Sequence, residues 1–201
     1  MKKQVVVIHG GDAFDTYQEY VSFLKRWNID FTDYQNPRTG WKKTLGKALG
    51  TRYEVITPDM PNKINAKYAE WKIWFEKFVP HLRSGVVLVG HSLGGIFLAK
   101  YLSKNSFPKK IKATFLVAAP SNAPKRHPLA DFVLKKSLAK FAVQGGSIVL
   151  YHSTDDQIVP LSNVQHYQKA LPNAKVVIFK NRGHFNQKTF PELVRAIKKL
   201  P

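Results

Sequence analysis

The stretch Gly90-His91-Ser92-Leu93-Gly94 sets a serine among small residues, directly after the apolar run Val86-Val87-Leu88-Val89. Either a tight strand-to-helix turn needs its glycines, or the turn holds a nucleophile out of a sheet. The pattern is G-x-S-x-G. In that pattern a strained turn lifts the hydroxyl above the sheet edge, and the flanking glycines let strand and helix pack close. A serine hydroxyl is a poor nucleophile unless a base takes its proton. His184, in Asn181-Arg182-Gly183-His184-Phe185, sits where such a base is needed, in the loop after the last expected strand. A histidine in that role requires a carboxylate to fix its tautomer and stabilise the imidazolium. The segment His152-Ser153-Thr154-Asp155-Asp156 offers Asp155 and Asp156. Serine, aspartate and histidine thus follow one another in chain order, each just after an expected strand, an order known for acyl-transfer triads.

Attack on a carbonyl puts negative charge on its oxygen, which two preorganised N–H groups must hold. One is expected from Leu93, at the start of the helix after the serine. The other is expected from the loop His9-Gly10-Gly11-Asp12, with Gly11 the first choice and Asp12 the second. His9 and His91 flank this site and are expected to shape it, although His91 is also simply the variable residue of the motif. His81, His127, His152 and His166 are not spaced as a metal set, and the chain holds no H-E-x-x-H, phosphate loop or dinucleotide fingerprint. Neither metal nor cofactor is expected.

These residues need elements to position them, and the chain alternates strand-like and helix-like segments. Strands are expected at Gln4–Ile8, Arg52–Thr57, Gly85–Val89, Ile111–Val117, Ser147–Tyr151 and Lys175–Phe179. Helices are expected at Thr16–Arg26 with Asp15 as N-cap, Ala66–Val79, Leu93–Ser103, Leu129–Phe141, Ser162–Leu171 and Pro191–Leu200. In Ala66–Val79 the stripe Trp71, Trp74, Phe75 and Phe78 has helical spacing and reads as core. Such alternation predicts a parallel sheet covered on both faces. Two segments read as irregular: Asn28–Gly50, with Pro37, Gly40, Gly46 and Gly50, and Ala118–Pro128, with three prolines.

The chain has 201 residues, a length that suits one domain, and no cysteine, which excludes disulfides and thiol catalysis. Val5-Val6-Val7-Ile8 after Lys2-Lys3 is too short for a signal peptide and reads as a buried strand. No stretch approaches the ~18 apolar residues of a membrane helix, so no membrane partner is expected and the cytoplasm is the expected location. Lys and Arg number 32 against 13 Asp and Glu, a net charge of +19. Such a field attracts polyanions nonspecifically. The basic residues are spread in pairs (Lys2-Lys3, Lys42-Lys43, Lys109-Lys110, Lys135-Lys136, Lys198-Lys199) without a recognition motif, so no specific nucleic acid is expected. Oligomeric state is not legible.

With these residues in place, the chain resembles the α/β-hydrolase superfamily. More narrowly, it resembles the small, nearly capless serine hydrolases typified by retinoblastoma-binding protein nine. The resemblance runs from the His9-Gly10-Gly11 loop to the last helix and puts the nucleophile on Ser92 and the histidine on His184. The group's acid motif, D-x-[IV]-[VL]-P, falls on Asp156-Gln157-Ile158-Val159-Pro160, which favours Asp156 over Asp155. It implies a three-layer α/β fold of about six mainly parallel strands, helices on both faces and minimal or no cap domain. It also implies a serine hydrolase, of carboxylesterase type, acting on a small-molecule acyl substrate through an acyl-enzyme on Ser92. The alternative is a protein-binding module, weakly catalytic or inert, on the same fold. Residues 28–50 form a longer stretch than the minimal group has, and the charge is far more basic.

Overall fold

A computed structural model describes residues 1–35, 39–121, 128–134 and 137–201. Its strands are β1 (Lys3–Ile8), β2 (Tyr53–Ile56), β3 (Val86–His91), β4 (Ile111–Val117), β5 (Ser147–Ser153) and β6 (Lys175–Phe179). They form one sheet in the order β2-β1-β3-β4-β5-β6, every neighbouring pair parallel. The helices are α1 (Tyr17–Arg26), α2 (Phe31–Gln35), α3 (Trp41–Leu49), α4 (Tyr68–Phe78), α5 (Leu93–Lys104), α6 (Ala139–Gln144), α7 (Ser162–Ala170) and α8 (Pro191–Lys198).

The strands are apolar at successive positions because both faces of the sheet are covered, as parallel sheets require. Alternation then divides their side chains between two cores. Val6, Ile8, Leu88, Leu116 and Leu150 pack with α4, α5, α6 and α7 through residues such as Trp71, Phe97, Phe141 and Tyr167. Val5, Val7, Val87, Val89, Phe115, Val117 and Tyr151 pack with α3 and α8 through Trp41, Leu45, Leu193 and Ile197. The strand order reverses between β1 and β3, where an open parallel sheet forms a crevice at the carboxyl ends of its strands. Among the described residues no separate cap domain stands over that edge, and no helix is long and apolar enough to cross a membrane.

Several expectations need correction. Residues 28–50 are not simply irregular. Trp41, Leu45 and Leu49, one turn apart, are buried along one side of α3. Gly40 at its N-cap and Gly46 inside it hid that pattern, because glycines read as punctuation between elements. Thr16, not Asp15, caps α1: its hydroxyl accepts from the Glu19 N–H, while the Glu19 carboxylate accepts from the Thr16 and Asp15 N–H groups. Leu129–Phe141 is not one helix. It begins with a short 3-10 turn at Ala130–Phe132, and only α6 is helical at its end. Asp131 leaves that run to accept the Tyr68 N–H at the start of α4. The aromatic stripe of α4 divides: Trp71 and Phe75 are fully buried, but Trp74 is exposed beside Phe78. Pro37, His127 and Lys135-Lys136 lie outside the described residues.

Candidate active site

Ser92 stands between the end of β3 and the first turn of α5 with φ 53° and ψ −123°, a conformation L-residues rarely adopt. The surrounding packing imposes it. A Cβ on Gly90 would lie 2.4 Å from the Gly94 carbonyl oxygen, and one on Gly94 would lie 2.4 Å from the Ile8 carbonyl oxygen. Only glycine fits at either position, so strand, helix and the end of β1 close tightly around the serine. The Leu93 N–H is the first amide of α5, one of those a helix leaves without an acceptor of its own.

The loop after β1 reaches the same point from the neighbouring strand. A Cβ on Gly10 would come within 3.0 Å of Ser92 Cβ, and one on Gly11 would lie 2.4 Å from the Lys63 carbonyl oxygen. The Asp12 amide, the alternative donor, is committed to that Lys63 carbonyl at 2.8 Å. His9 fixes the loop. Its Nε2 accepts the Met60 N–H, so the Nδ1 proton is donated to the Gly10 carbonyl. Burial, with the Lys63 and Lys42 charges, outweighs the Gly10 bond and Asp59 and holds His9 below the usual histidine value.

The two aspartates separate by their partners. Asp156 Oδ2 lies 2.9 Å from His184 Nδ1, and its Oδ1 accepts the Ile158 and Val159 N–H groups. Burial pushes the Asp156 carboxyl up, but His184 and the Val159 and Ile158 amides together outweigh it, so it is held below the usual carboxylate value. Asp155 faces elsewhere: its Oδ1 accepts the Ser153 hydroxyl and the Gly183 N–H, tying the β5 loop to the β6 loop that carries His184. His152 braces the acid loop from below, donating Nε2–H to the Val159 carbonyl.

Since Asp156 only accepts, His184 carries its proton on Nδ1 and leaves Nε2 as the basic nitrogen. Ser92, Leu93, Gly11 and His184 all line one open cleft of about 1050 Å³. The structure therefore brings the sequence-expected residues to a single sheet edge, with Asp156 immediately behind His184.

Sequence reasoning missed the support that α3 gives the histidine loop. Trp41 donates its indole N–H to the Phe185 carbonyl and its backbone N–H to the Gln187 carbonyl, and Thr44 donates to the Lys188 carbonyl. His91 completes the brace. Its Nε2–H is donated to the His184 carbonyl at 2.8 Å, so its bare Nδ1 faces Lys42 Nζ at 3.3 Å. Burial, then the nearby Lys42 and His184, hold His91 well below the usual histidine value and keep it neutral. Burial also pushes the Lys42 ammonium down to about 8. A lone aromatic in a Gly-rich stretch gave no periodic signal for any of this. Among the described residues no group of His, Asp and Glu is arranged to hold a metal ion.

Comparison with known proteins agrees with this arrangement. The product of the ydeN gene of B. subtilis superimposes with a TM-score of 0.73 at 20% identity, covering 99% of this chain and 98% of that one. The naproxen esterase of Bacillus subtilis superimposes with a TM-score of 0.62 at 12% identity, covering 98% of this chain and 83% of that one. The architecture is the α/β-hydrolase fold. The serine hydrolase RBBP9 of Rattus norvegicus is 27% identical over 165 residues, 80% of this chain and 84% of that protein. The family described as Serine hydrolase matches residues 31–194, from the turn of α2 through the histidine loop into α8, and the chain belongs to that family.

Proposed function

We propose that this serine hydrolase is a carboxylesterase acting on a small acyl substrate through an acyl-enzyme on Ser92. The observation that carries the reading is the pairing of His184 Nδ1 with buried Asp156, on the cleft that also exposes a strained Ser92. Ser92 Oγ attacks the ester carbonyl and its proton passes to His184 Nε2. Asp156 holds the imidazole in the required tautomer and stabilises the imidazolium. The Leu93 and Gly11 N–H groups receive the negative charge on the former carbonyl oxygen. The ester C–O bond breaks, and the alcohol leaves with the proton from His184. Water then gives a proton to His184 Nε2 as its oxygen attacks the acyl carbon. Collapse returns that proton to Ser92 and releases the carboxylic acid. A cytoplasmic setting suits a chain without cysteine. The +19 charge is expected to add nonspecific attraction to polyanions that fades with salt.

A fluorophosphonate probe tests the reading, because it phosphonylates only an activated serine. Labelling should map to Ser92 in the wild type and vanish in Ser92→Ala, with ester turnover falling by roughly 10⁶-fold. A folded wild type that takes no label and hydrolyses no ester would favour an inert binding module.

A further inference from the structure

We propose, resting on the esterase reading, that Lys42 selects substrates bearing a carboxylate. Its ammonium would meet that group while the scissile carbonyl lies against Ser92. Lys42 sits in the first turn of α3 and lines the same cleft as Ser92 and His184. Its Nζ lies over the ring of the fully buried Trp41, 5.2 Å from the centroid, so a rigid part of α3 helps to place the charge. Among the described residues its one polar contact is a neutral acceptor, His91 Nδ1, which uses one of the three ammonium protons. Asp12, Asp15 and Glu19 also line the cleft, yet among the described residues no carboxylate lies within ion-pairing distance of Lys42. Glu19 is occupied by the α1 cap.

A partly desolvated cation without a counter-ion is costly. An arriving carboxylate would offset that cost and gain a charge-assisted hydrogen bond from the protons left over. The field of Lys42 is felt across the site, since it lowers both His91 and His9. A group so placed discriminates charged from uncharged substrates rather than driving the acyl transfer itself.

The test compares two ester pairs, each a carboxylate and its methyl-capped neutral twin. Para-nitrophenyl hemisuccinate puts the charge on the acyl side, and para-acetoxybenzoate puts it on the leaving side. Wild type, Lys42→Gln and Lys42→Arg are assayed, with Ser92→Ala as the blank. Glutamine removes the charge and keeps an N–H donor, and the support of His184 comes from His91 Nε2 rather than from Lys42. In the wild type, kcat/KM should favour the charged member of at least one pair by about tenfold or more, the size of one hydrogen bond to a charged group. The favoured pair tells which side of the scissile bond meets Lys42. That preference should collapse toward unity in Lys42→Gln and persist in Lys42→Arg. A fluorophosphonate-labelled wild type with no preference in either pair, or with no turnover of any of the four esters, overturns the proposal. A preference that survives in Lys42→Gln overturns it as well, as does a variant that loses charged and neutral substrates alike. Failure of the esterase reading looks different: the wild type takes no label at all.

Discussion

The cleft has two unlike walls. One is the carboxyl edge of the sheet, where hydrogen bonds from neighbouring side chains hold the loops that carry the candidate residues. His9 fixes the β1 loop, His152 the acid loop, and His91 and Trp41 the histidine loop. The other wall is α1, which has no buried residue and contributes Gln18, Ser22 and Phe23 to the cleft. From α1 into α2, Tyr17, Trp27, Ile29, Phe31 and Tyr34 are exposed apolar side chains. Chemistry needs geometry fixed to fractions of an ångström, so the histidines and aspartates that set the loops of the first wall are paired and packed. Binding of varied substrates tolerates a looser wall, and segments with few buried contacts are the ones that open locally.

Substitutions on the two walls should differ in kind. After Ser92→Ala, the largest effect belongs to Asp156→Asn, which should lower kcat by about 10⁴-fold through the wrong His184 tautomer, with the fold intact. Asp155→Asn should cost far less, roughly tenfold, because that carboxylate only ties the loops together. Equal losses in the two variants, measured on one ester, would mean that the aspartates had been assigned wrongly.

Trp41→Ala should destabilise the protein by about 3–5 kcal/mol in denaturant unfolding, because a fully buried indole and its bond to Phe185 are lost. Its kcat should fall as well, since the histidine loop loses its brace. A stability loss with kcat untouched would separate α3 from the site.

Lys42 gives the first wall a pH signature. Its value in the folded chain is about 8, below the ordinary 10.5, so between these limits the unfolded chain binds more protons. Stability must then rise with pH in that window. Below about pH 8 the cost of burying the ammonium is present in full, and it fades toward pH 10.5. The wild type should therefore gain on Lys42→Met as pH is raised from 8 to 9.5. A stability gap that stays constant across this range would show that Lys42 is freely solvated.

The smallest effect is expected on the second wall. Trp27→Ala should change stability by no more than about 0.5 kcal/mol. The Trp27 ring packs on Phe23, which lines the cleft, so any kinetic change should appear in KM rather than kcat. A large fall in kcat would mean that α1 is part of the fixed machinery after all.

The sequence by itself determined the layered architecture and the points where chemistry could sit. Parallel buried strands must be continuously apolar, and a nucleophile turn must be flanked by glycine, so both leave local marks in the chain. That is why Ser92, His184 and the β5 loop could be found at the ends of strands. Order and spacing could not divide Asp155 from Asp156, because adjacent residues in a turn differ only in the direction they face, and only the family resemblance favoured Asp156. Tertiary structure decided that, through the amides of Ile158 and Val159 and the position of His184. It also decided the role of residues 41–49. Their helix has Gly46 inside it and lies between Gly40 and Gly50, and it is held in place because Trp41, Leu45 and Leu49 are buried against the sheet. Lys42 is one basic residue among 32 in the sequence. Only the fold brings it to His91 and the cleft, because contacts between residues distant in sequence are made by packing and carry no local pattern.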